Sequence, residues 1–421
     1  MNVDIEDIEN IYMFVSDACR YDFGSERLPS FGTSIRTVAA STFTAPSFSS
    51  MITGVYPPRH GVSSWEANIT QPFTLMHALP KWNKSLWTEN SWVNFHPRDK
   101  APIYRVLNLP PRVSPQDVEP PFILIEDDLG GHCPYGTPLQ AVKEGGCKEF
   151  FYECATKGVP ALRKEYGKAI DNSIEVFKQR LDTLRDRGLL ERTLVIFTSD
   201  HGELLGEHGG MAGHGRPSSP ELVYVPTVFL DKRIDQGLKD LELMRHVDLL
   251  PTILHILGEQ IPTGLDGVDL LGDGPKPQVG LNFHSEVKQT REEKGKKPST
   301  TFQYRAWSAW DKDGGVVLHQ MNPFIARMLF RYNIKHAKVP TSHFQRAYLR
   351  TLGSAERRSH VKASVRAQAE GHLVYGEPHH NVRELEQMIG EYLQKADTVQ
   401  VGHLEYSEDA VDKLRALGYM E

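Results

Sequence analysis

Residues 193–203 read Thr-Leu-Val-Ile-Phe-Thr-Ser-Asp-His-Gly-Glu, and they decide the fold. The apolar run at the start is typical of a strand that is buried on both faces, and it ends at Asp200 and His201. Upstream, residues 160–187 carry apolar side chains at helical spacing, and Gly188 follows them. A helix that leads directly into such a strand, after an earlier buried strand, requires a parallel sheet with a right-handed crossover.

Two earlier segments repeat the pattern of an apolar run followed by carboxylates. Residues 11–15 are Ile-Tyr-Met-Phe-Val and lead to Asp17, and residues 122–125 are Phe-Ile-Leu-Ile and lead to Asp128. A single aspartate after a strand is common in turns. The carboxyl ends of parallel strands share one edge of a doubly wound sheet, however, and ligands bind there. We therefore expect Asp17, Asp128 and Asp200 to converge on a metal site at that edge.

Histidines accompany these carboxylates. His201 adjoins Asp200, and His132 lies four residues after Asp128 across two glycines that allow a tight turn. His214 lies in a glycine-rich loop, where it is either a ligand that approaches from the side or a solvated loop residue. Mixed carboxylate and imidazole ligands suit Zn²⁺ or Mn²⁺ better than an all-oxygen Ca²⁺ site does.

A hydroxyl side chain is expected beside this metal site. Residues 44–54 read Thr-Ala-Pro-Ser-Phe-Ser-Ser-Met-Ile-Thr-Gly, which is typical of a helix that begins near Thr44 and ends at Gly54. Unpaired N–H groups and the positive end of the helix dipole favour an anion at such a start. Thr44 is the candidate nucleophile, because a divalent cation lowers the pKa of a bound hydroxyl. A simple helix cap is the alternative.

The composition is that of an ordinary globular protein. The chain has 421 residues, 39% of them hydrophobic, and 48 Lys or Arg against 54 Asp or Glu give a net charge of −6. This charge gives no reason to expect a nucleic-acid partner. Four cysteines without Cys-x-x-Cys spacing indicate free thiols, although a bridge between Cys147 and Cys154 stays open. The N-terminus is unlike a signal peptide and no run approaches ~20 apolar residues, so we expect a cytoplasmic protein without a membrane partner.

The sequence changes character from about residue 276. Residues 302–310 alternate in polarity and precede a turn and a second apolar run, which indicates a hairpin. Basic segments at 288–297 and 346–366 are interpreted as solvated helix faces and loops.

The expected fold class is therefore α/β. We predict a mostly parallel, doubly wound sheet flanked by helices over residues 1–275 and a smaller α+β subdomain over residues 276–421.

Read in order, the motifs resemble those of the alkaline phosphatase and sulfatase superfamily. Their sequences are most similar to those of its sulfatase-like branch. The blocks that carry the resemblance are Asp17, Thr44-x-Pro46-Ser47, Thr53-Gly54-x-Tyr56-Pro57, His60-Gly61, Ser199-Asp200-His201-Gly202-Glu203, the run His246-Val-Asp-Leu-Leu-Pro-Thr252 and the closing Leu414-Arg-Ala-Leu-Gly-Tyr419. The resemblance covers residues 11–272 firmly and the remainder loosely. It implies an alkaline phosphatase-like fold.

The resemblance also implies residue roles. Thr44 occupies the nucleophile position, and Asp17, Asp200 and His201 match the ligands of the metal that holds the nucleophile.

The remaining candidates, Asp128, His132 and His214, match the ligands of a second metal in the two-metal phosphatases and phosphodiesterases. With a single metal, His132 and His214 would instead hold substrate oxygens, as in the sulfatase-like single-metal enzymes.

The chain departs from the family pattern at the substrate. Sulfatases carry a cysteine or serine that becomes formylglycine where this chain has Thr44, and an arginine where it has Phe48. Threonine cannot become formylglycine. The phosphodiesterase branch supplies an asparagine near the position of Trp65. The candidate substrate-binding residues here are Ala45, Asn68 and Arg20.

The expected activity is metal-dependent hydrolysis of a phosphodiester or phosphonate monoester through a phospho-threonine at Thr44. The alternatives are a sulfatase-like sulfuric ester hydrolase and a phosphotransferase that uses the same covalent intermediate. The expected cofactor is two Zn²⁺ or Mn²⁺ ions, with one Ca²⁺ or Mg²⁺ as the other option. The partner is a small anionic ester, and the oligomeric state is open.

Overall fold

The computed structural model describes residues 8–65, 67–69, 74–88, 102–107, 113–135, 146–290, 299–336, 340–395 and 402–403. The closing motif at 414–419 lies outside the described residues.

The strands in chain order are β1 (Asn10–Ser16), β2 (Ile35–Val38), β3 (Ala67–Asn68), β4 (Asn83–Thr88), β5 (Phe122–Asp128), β6 (Thr193–Thr198), β7 (Leu204–Leu205), β8 (Ala212–Gly213), β9 (Tyr224–Phe229), β10 (Met244–Arg245), β11 (Gly280–Thr290), β12 (Ser299–Trp310), β13 (Gly314–His319), β14 (His372–Gly376) and β15 (Gly402–His403).

The helices are α1 (Tyr21–Gly24), α2 (Thr44–Thr53), α3 (Pro57–His60), α4 (Leu75–Ala78), α5 (Pro102–Leu107), α6 (Gly146–Lys157), α7 (Val159–Asp186), α8 (Glu207–Gly210), α9 (Pro220–Val223), α10 (Lys232–Leu238), α11 (Leu249–Ile256), α12 (Pro323–His336), α13 (Pro340–Thr351), α14 (Ser354–Ala369) and α15 (Val382–Lys395), with 3₁₀ turns at Leu190–Arg192 and His246–Asp248.

The central sheet has seven strands in the order β10-β2-β9-β6-β1-β5-β4. The strands β4, β5, β1 and β6 run parallel, whereas β9 is antiparallel to both β6 and β2. The predicted mostly parallel, doubly wound α/β sheet is confirmed. In the register, Val15 near the end of β1 lies beside Asp127 of β5 and Thr198 of β6, so these three strands end at one edge.

Successive side chains of β1 point to opposite faces of the sheet, so they belong to two different hydrophobic clusters. Ile11 and Met13 belong to a cluster that also contains Phe48 of α2 and residues of α11. Tyr12 and Phe14 belong to a second cluster with residues of α6 and α7. The short helix α2 and the long helix α7 therefore cover opposite faces.

A second sheet, antiparallel and in the order β11-β12-β13-β14, follows the central sheet in sequence. It is attached to the first, because Phe283 of β11 donates its backbone N–H to Ala40 at 2.8 Å and the Asn282 side chain donates to Ala39 at 2.8 Å. The predicted α+β character of this region is confirmed. The boundary at residues 275 and 276 stays a prediction.

The glycine-rich segment after Glu203 is tightly packed. Side chains at Gly209, Gly210 and Gly213 would collide with His360, Tyr348 and Thr341 of the C-terminal helices, and all three glycines have positive φ. The helices α13 and α14 thus hold the loop that carries His214.

Among the described residues, no helix combines the length and the apolar character needed to cross a bilayer. Cys19, Cys133 and Cys154 are buried free thiols, so Cys154 does not form the bridge that the sequence left open.

Candidate functional site

Helix α2 begins at Thr44. Phe43 precedes it with extended backbone and donates no side-chain cap, and Gly54 ends the helix with φ of 67°. The Thr44 hydroxyl is not spent on capping its own helix. Its side chain is 2% exposed, and Oγ1 lies 3.2 Å from His201 Nε2. The predicted position of Thr44 at a helix start is confirmed.

Asp17, Asp200 and His201 come together beside this hydroxyl. Their potential ligand atoms all lie within 4.8 Å of one another. His201 Nε2 is 3.3 Å from Asp200 Oδ2 and 3.9 Å from Asp17 Oδ1. The convergence follows from the register, because Asp17 and Asp200 lie just beyond the ends of the adjacent strands β1 and β6.

Local hydrogen bonds orient this group. The other Asp200 oxygen, Oδ1, accepts from the backbone N–H groups of Ala18 and His201, each at 2.9 Å. His201 Nδ1 is 2.8 Å from the Gly202 carbonyl, to which it donates because a carbonyl only accepts. The ring therefore presents an unprotonated Nε2, the form that binds metals.

On strand β5 the residue that faces this group is Asp127, not Asp128 as predicted. Asp128 Oδ2 accepts from Ser173 Oγ of α7 at 2.6 Å and from Gly130 N at 2.9 Å. Side chains along β5 alternate between the two faces of the sheet. Ile123, Ile125 and Asp127 therefore share the face covered by α2, and Asp128 lies on the face covered by α7.

The buried carboxylates fit a divalent cation. Asp17 Oδ1, Asp127 Oδ1 and Asp200 Oδ2 are buried without a hydrogen-bond partner. Burial, followed by the neighbouring Asp200 carboxylate, raises the pKa of both Asp17 and Asp127 well above the usual range. A 2+ ion would satisfy these oxygens and offset their mutual repulsion. The group whose ligand atoms lie within 4.8 Å of one another comprises Asp17, Asp200 and His201 Nε2, and Asp127 lies near enough to Asp200 for their charges to interact.

The other two predicted histidines adjoin His201. The ring centroids of His201 and His214 are 4.5 Å apart, and those of His214 and His132 are 5.0 Å apart. Burial lowers the pKa of His132 and of His214 to about 4, so both rings are neutral at pH 7. Since Asp128 points away, one group of three or more ligands forms within the described chain, not two.

Glu203 forms a hydrogen bond with the Nδ1 atom of His214. His214 Nδ1 lies 2.9 Å from Glu203 Oε2, and the Tyr135 hydroxyl donates to Glu203 Oε1 at 2.6 Å. Burial raises the pKa of Glu203 to about 7. A carboxylate on the far side of an imidazole fixes its tautomer and stabilises its protonated form.

The predicted substrate-binding residues differ in their surroundings. Ala45 is fully buried as the second residue of α2. Asn68 lies in β3, and its Oδ1 is buried without a hydrogen-bond partner. Arg20 forms a bidentate pair with Asp22 and a 2.8 Å bond to Glu207 Oε1, so its guanidinium is engaged by protein carboxylates.

Sequence reasoning missed His284, which β11 brings to the site. Thr42 Oγ1 donates to the Gly215 carbonyl at 2.6 Å, so His284 Nδ1, at 3.0 Å, donates to Thr42 Oγ1. Its Nε2 is then an acceptor, and it is buried without a partner. Burial, Arg216, His214 and His201 lower the pKa of His284 to about 3. No local motif marks this histidine, because the pairing of β11 with distant residues positions it.

Comparison with known proteins agrees with this architecture. The sulfatase family model matches residues 109–259. The low-salt glycan biosynthesis sulfotransferase Agl7 of Haloferax volcanii is 31% identical over 415 residues, which cover 98% of this chain and 96% of that protein.

Two solved structures are similar in fold. A 2-O GAG sulfatase, BT1596, has a TM-score of 0.56 at 11% identity and covers 94% of this chain and 95% of its own. The phosphonate monoester hydrolase of Agrobacterium radiobacter has a TM-score of 0.52 at 15% identity, over 88% of this chain and 100% of its own. The family model together with the near full-length relative identifies the chain as a member of the sulfatase family.

Proposed function

We propose that the protein transfers the sulfuryl group of a singly charged sulfate ester to Thr44 and then to a hydroxyl acceptor. The observation that carries the proposal is the buried Thr44 hydroxyl, 3.2 Å from His201 Nε2 and beside carboxylate oxygens that no protein group satisfies. The Haloferax volcanii relative is named a sulfotransferase of glycan biosynthesis, which supports a glycan hydroxyl as the acceptor.

Charge favours an ester with one negative charge. Asp17, Asp127 and Asp200 carry three negative charges when ionised, and one divalent cation leaves the group at about −1. The surrounding imidazoles are neutral at pH 7 because burial lowers their pKa values. Sulfate monoesters, phosphodiesters and phosphonate monoesters carry a single charge near the reacting atom, whereas a phosphate monoester carries two and is repelled more strongly.

In the first step the Thr44 hydroxyl releases its proton to solvent, and its oxygen forms a bond to sulfur while the bond from sulfur to the donor oxygen breaks. A divalent cation, when bound by the carboxylates and His201, lowers the pKa of the Thr44 hydroxyl and offsets charge on the ester oxygens. The departing oxygen takes a proton from His214 Nε2 while Nδ1 of the same neutral ring takes one from Glu203, whose pKa of about 7 leaves part of it protonated. His132 Nδ1 donates to the Cys133 carbonyl at 2.7 Å, so the neutral ring presents an unprotonated Nε2 beside His214.

The second step must attack sulfur. A threonine ester has one oxygen on Cβ, so it cannot expel sulfate by the elimination that a formylglycine hydrate permits. An acceptor hydroxyl therefore displaces the Thr44 oxygen, and its proton passes to a base. His284 Nε2 is the candidate base, since it is a buried acceptor without a partner, and the charge of the bound ester raises the low pKa that burial gives this ring.

Hydrolysis of a phosphodiester or phosphonate monoester through a phospho-threonine is the second candidate. It uses the same residues, and the presence of His201 beside the nucleophile, in a donor set that suits Mn²⁺ or Zn²⁺, favours it. The two functions differ in the central atom and in the acceptor.

The test compares aryl sulfate, phosphodiester, phosphonate monoester and phosphate monoester substrates, with and without an oligosaccharide acceptor, in the presence of Mn²⁺, Zn²⁺, Ca²⁺ or Mg²⁺. We expect aryl release from the sulfate to accelerate when the acceptor is added, with sulfate transferred to it. The Thr44→Ser variant is the matched control, because it keeps a hydroxyl, whereas Thr44→Ala should lose turnover.

Intact-mass measurement after mixing gives a second readout. His284→Ala should accumulate protein that carries one sulfuryl group on Thr44, because the base of the second step is missing. Turnover that persists in Thr44→Ala would remove the covalent step. Faster turnover of the phosphodiester than of the sulfate, indifferent to the acceptor, would favour the second candidate.

A further inference from the structure

Helix α12 presents an apolar face to solvent. Phe324, Met328 and Tyr332 lie four residues apart, on one side of the helix, and are 71%, 59% and 62% exposed. Ile325 beside them is 52% exposed. These four are most of the large, exposed apolar side chains in the described part of the chain, and they form one contiguous face.

The opposite side of α12 is anchored in the protein. Ala326 and Phe330 are 1% exposed and pack in a cluster with Val365 and Ala369 of α14. The Arg216 guanidinium lies 5.0 Å from the centre of the Phe330 ring, and Arg216 belongs to the loop that carries His214. The helix is therefore fixed at its inner side, with the apolar side turned outward.

Cationic side chains accompany the apolar face. Helix α12 has no acidic residue, and Arg327, Arg331 and Lys335 are exposed along it. The neighbouring helix α14 adds a row of exposed basic residues, Arg358, Lys362 and Arg366. Residues 321–370 contain ten Lys or Arg and two Glu, whereas the whole chain has a net charge of −6. Positive charge is thus concentrated around this apolar face.

We propose that α12 is an interfacial helix that binds the surface of a membrane rich in anionic lipids. An amphipathic helix with aromatic and aliphatic residues on one face and Lys or Arg beside them lies in the plane of the headgroups, with its apolar side in the acyl boundary. The long basic side chains reach the phosphates from there. The expectation of no membrane partner rested on the lack of a spanning segment, and an interfacial helix needs none.

The charge argues against the other occupants. A symmetric contact between two copies would place the α12 faces against each other, and Arg331 and Lys335 would meet like charges with no acidic residue on the helix to compensate. A nucleic acid would pair with the basic groups but leave Phe324 and Met328 in water. An anionic bilayer satisfies both the apolar and the cationic parts. The inference does not rest on the proposed sulfuryl transfer.

The test is sedimentation of the full chain with vesicles. We expect binding to vesicles of phosphatidylcholine with phosphatidylglycerol, several-fold weaker binding to phosphatidylcholine alone, and a decrease with added salt. Phe324→Ser/Met328→Ser should lower the bound fraction at least tenfold, and Arg331→Glu/Lys335→Glu should lower it similarly and weaken the salt dependence. Turnover of a water-soluble aryl ester should not change in either variant.

Matched controls alter the same chemistry elsewhere. Val113→Ser removes an exposed apolar side chain far from α12 in sequence, and Lys164→Glu/Lys178→Glu reverses two exposed charges on α7. Both should bind vesicles like the parent protein. Equal binding of the parent to neutral and anionic vesicles, or no binding to either, overturns the proposal. A dimer that Phe324→Ser/Met328→Ser dissociates, without vesicle binding by the parent, assigns the face to a second copy instead.

Discussion

Glu126 and Asp127 are neighbours on β5, and both carboxylates are buried, yet their surroundings differ. Glu126 accepts from Arg180 Nε at 2.9 Å and from the Tyr12 hydroxyl at 2.6 Å. Asp127 points to the other face of the sheet and leaves Oδ1 without a hydrogen-bond partner. A buried carboxylate that serves only the fold is paired and hydrogen-bonded. One left unsatisfied beside similar groups is a place for a cation.

The contrast extends along the edge of the sheet. Asp17 Oδ1 and Asp200 Oδ2 lack a hydrogen-bond partner as Asp127 Oδ1 does, and burial together with the neighbouring carboxylates raises the pKa of Asp17 and Asp127. The paired face therefore stabilises the protein, whereas the unpaired face costs stability until a cation binds. Substitutions of the paired residues should lower stability and leave activity unchanged. Substitutions of the unpaired carboxylates should lower activity and stabilise the metal-stripped protein.

The largest effect is expected from Asp200→Asn. Loss of a ligand shared by the cation and the nucleophile should lower kcat/KM by about 10³-fold, since the cation supplies several kcal/mol of charge stabilisation. In the metal-stripped protein the same change should raise Tm, because it removes one of three mutually repelling carboxylates. Enzyme assays, metal content and thermal melts with and without chelator give the three readings. A lower Tm in the stripped variant would mean that Asp200 acts as a structural residue like Glu126.

Arg180→Met tests the paired face. It should destabilise the fold by about 3 kcal/mol, because Glu126 would stay buried without its partner. Activity per folded molecule should be unchanged, since Arg180 lies on the α7 face. Urea denaturation gives the stability, and Glu126→Leu/Arg180→Met should recover part of the loss by replacing the pair with apolar side chains. A stability loss in the double variant larger than in Arg180→Met would contradict this account.

The pH dependence of stability tests the buried state of Glu126. Burial raises the pKa of Glu126 to about 7, above its value in the unfolded chain. Between about pH 4.5 and 7 the folded state holds a proton that the unfolded state releases, so this carboxyl makes stability fall as pH rises through that window. Glu126→Gln should reduce the decrease in the free energy of unfolding between pH 5 and 8 by roughly 1–3 kcal/mol. Parallel curves for the two proteins would show that Glu126 titrates normally.

The sequence predicted the site where a strand end or helix start fixes a residue, and failed where tertiary packing decides. Asp17, Asp200 and Thr44 follow directly from such ends. The choice between Asp127 and Asp128 depends on which face of the sheet α2 covers, and no pattern in residues 122–128 contains that information. His284 was missed for a similar reason, since it reaches the site only through the attachment of the second sheet.

The smallest effect is expected from Asp128→Asn, and this variant tests whether Asp127 rather than Asp128 faces the metal site. Asp128 Oδ2 accepts two hydrogen bonds, from Ser173 and Gly130, and a single amide oxygen in its place can accept both. Stability should change by less than about 1 kcal/mol, and metal affinity by no more than a few-fold. Asp127→Asn is the comparator, and it should weaken metal binding by about 10- to 100-fold, on the scale of groups that tune a metal centre. Titration of each metal-stripped variant with Mn²⁺ or Zn²⁺ measures both. If Asp128→Asn weakened binding as much as Asp127→Asn, the result would support the hypothesis of a second metal site formed by Asp128, His132 and His214.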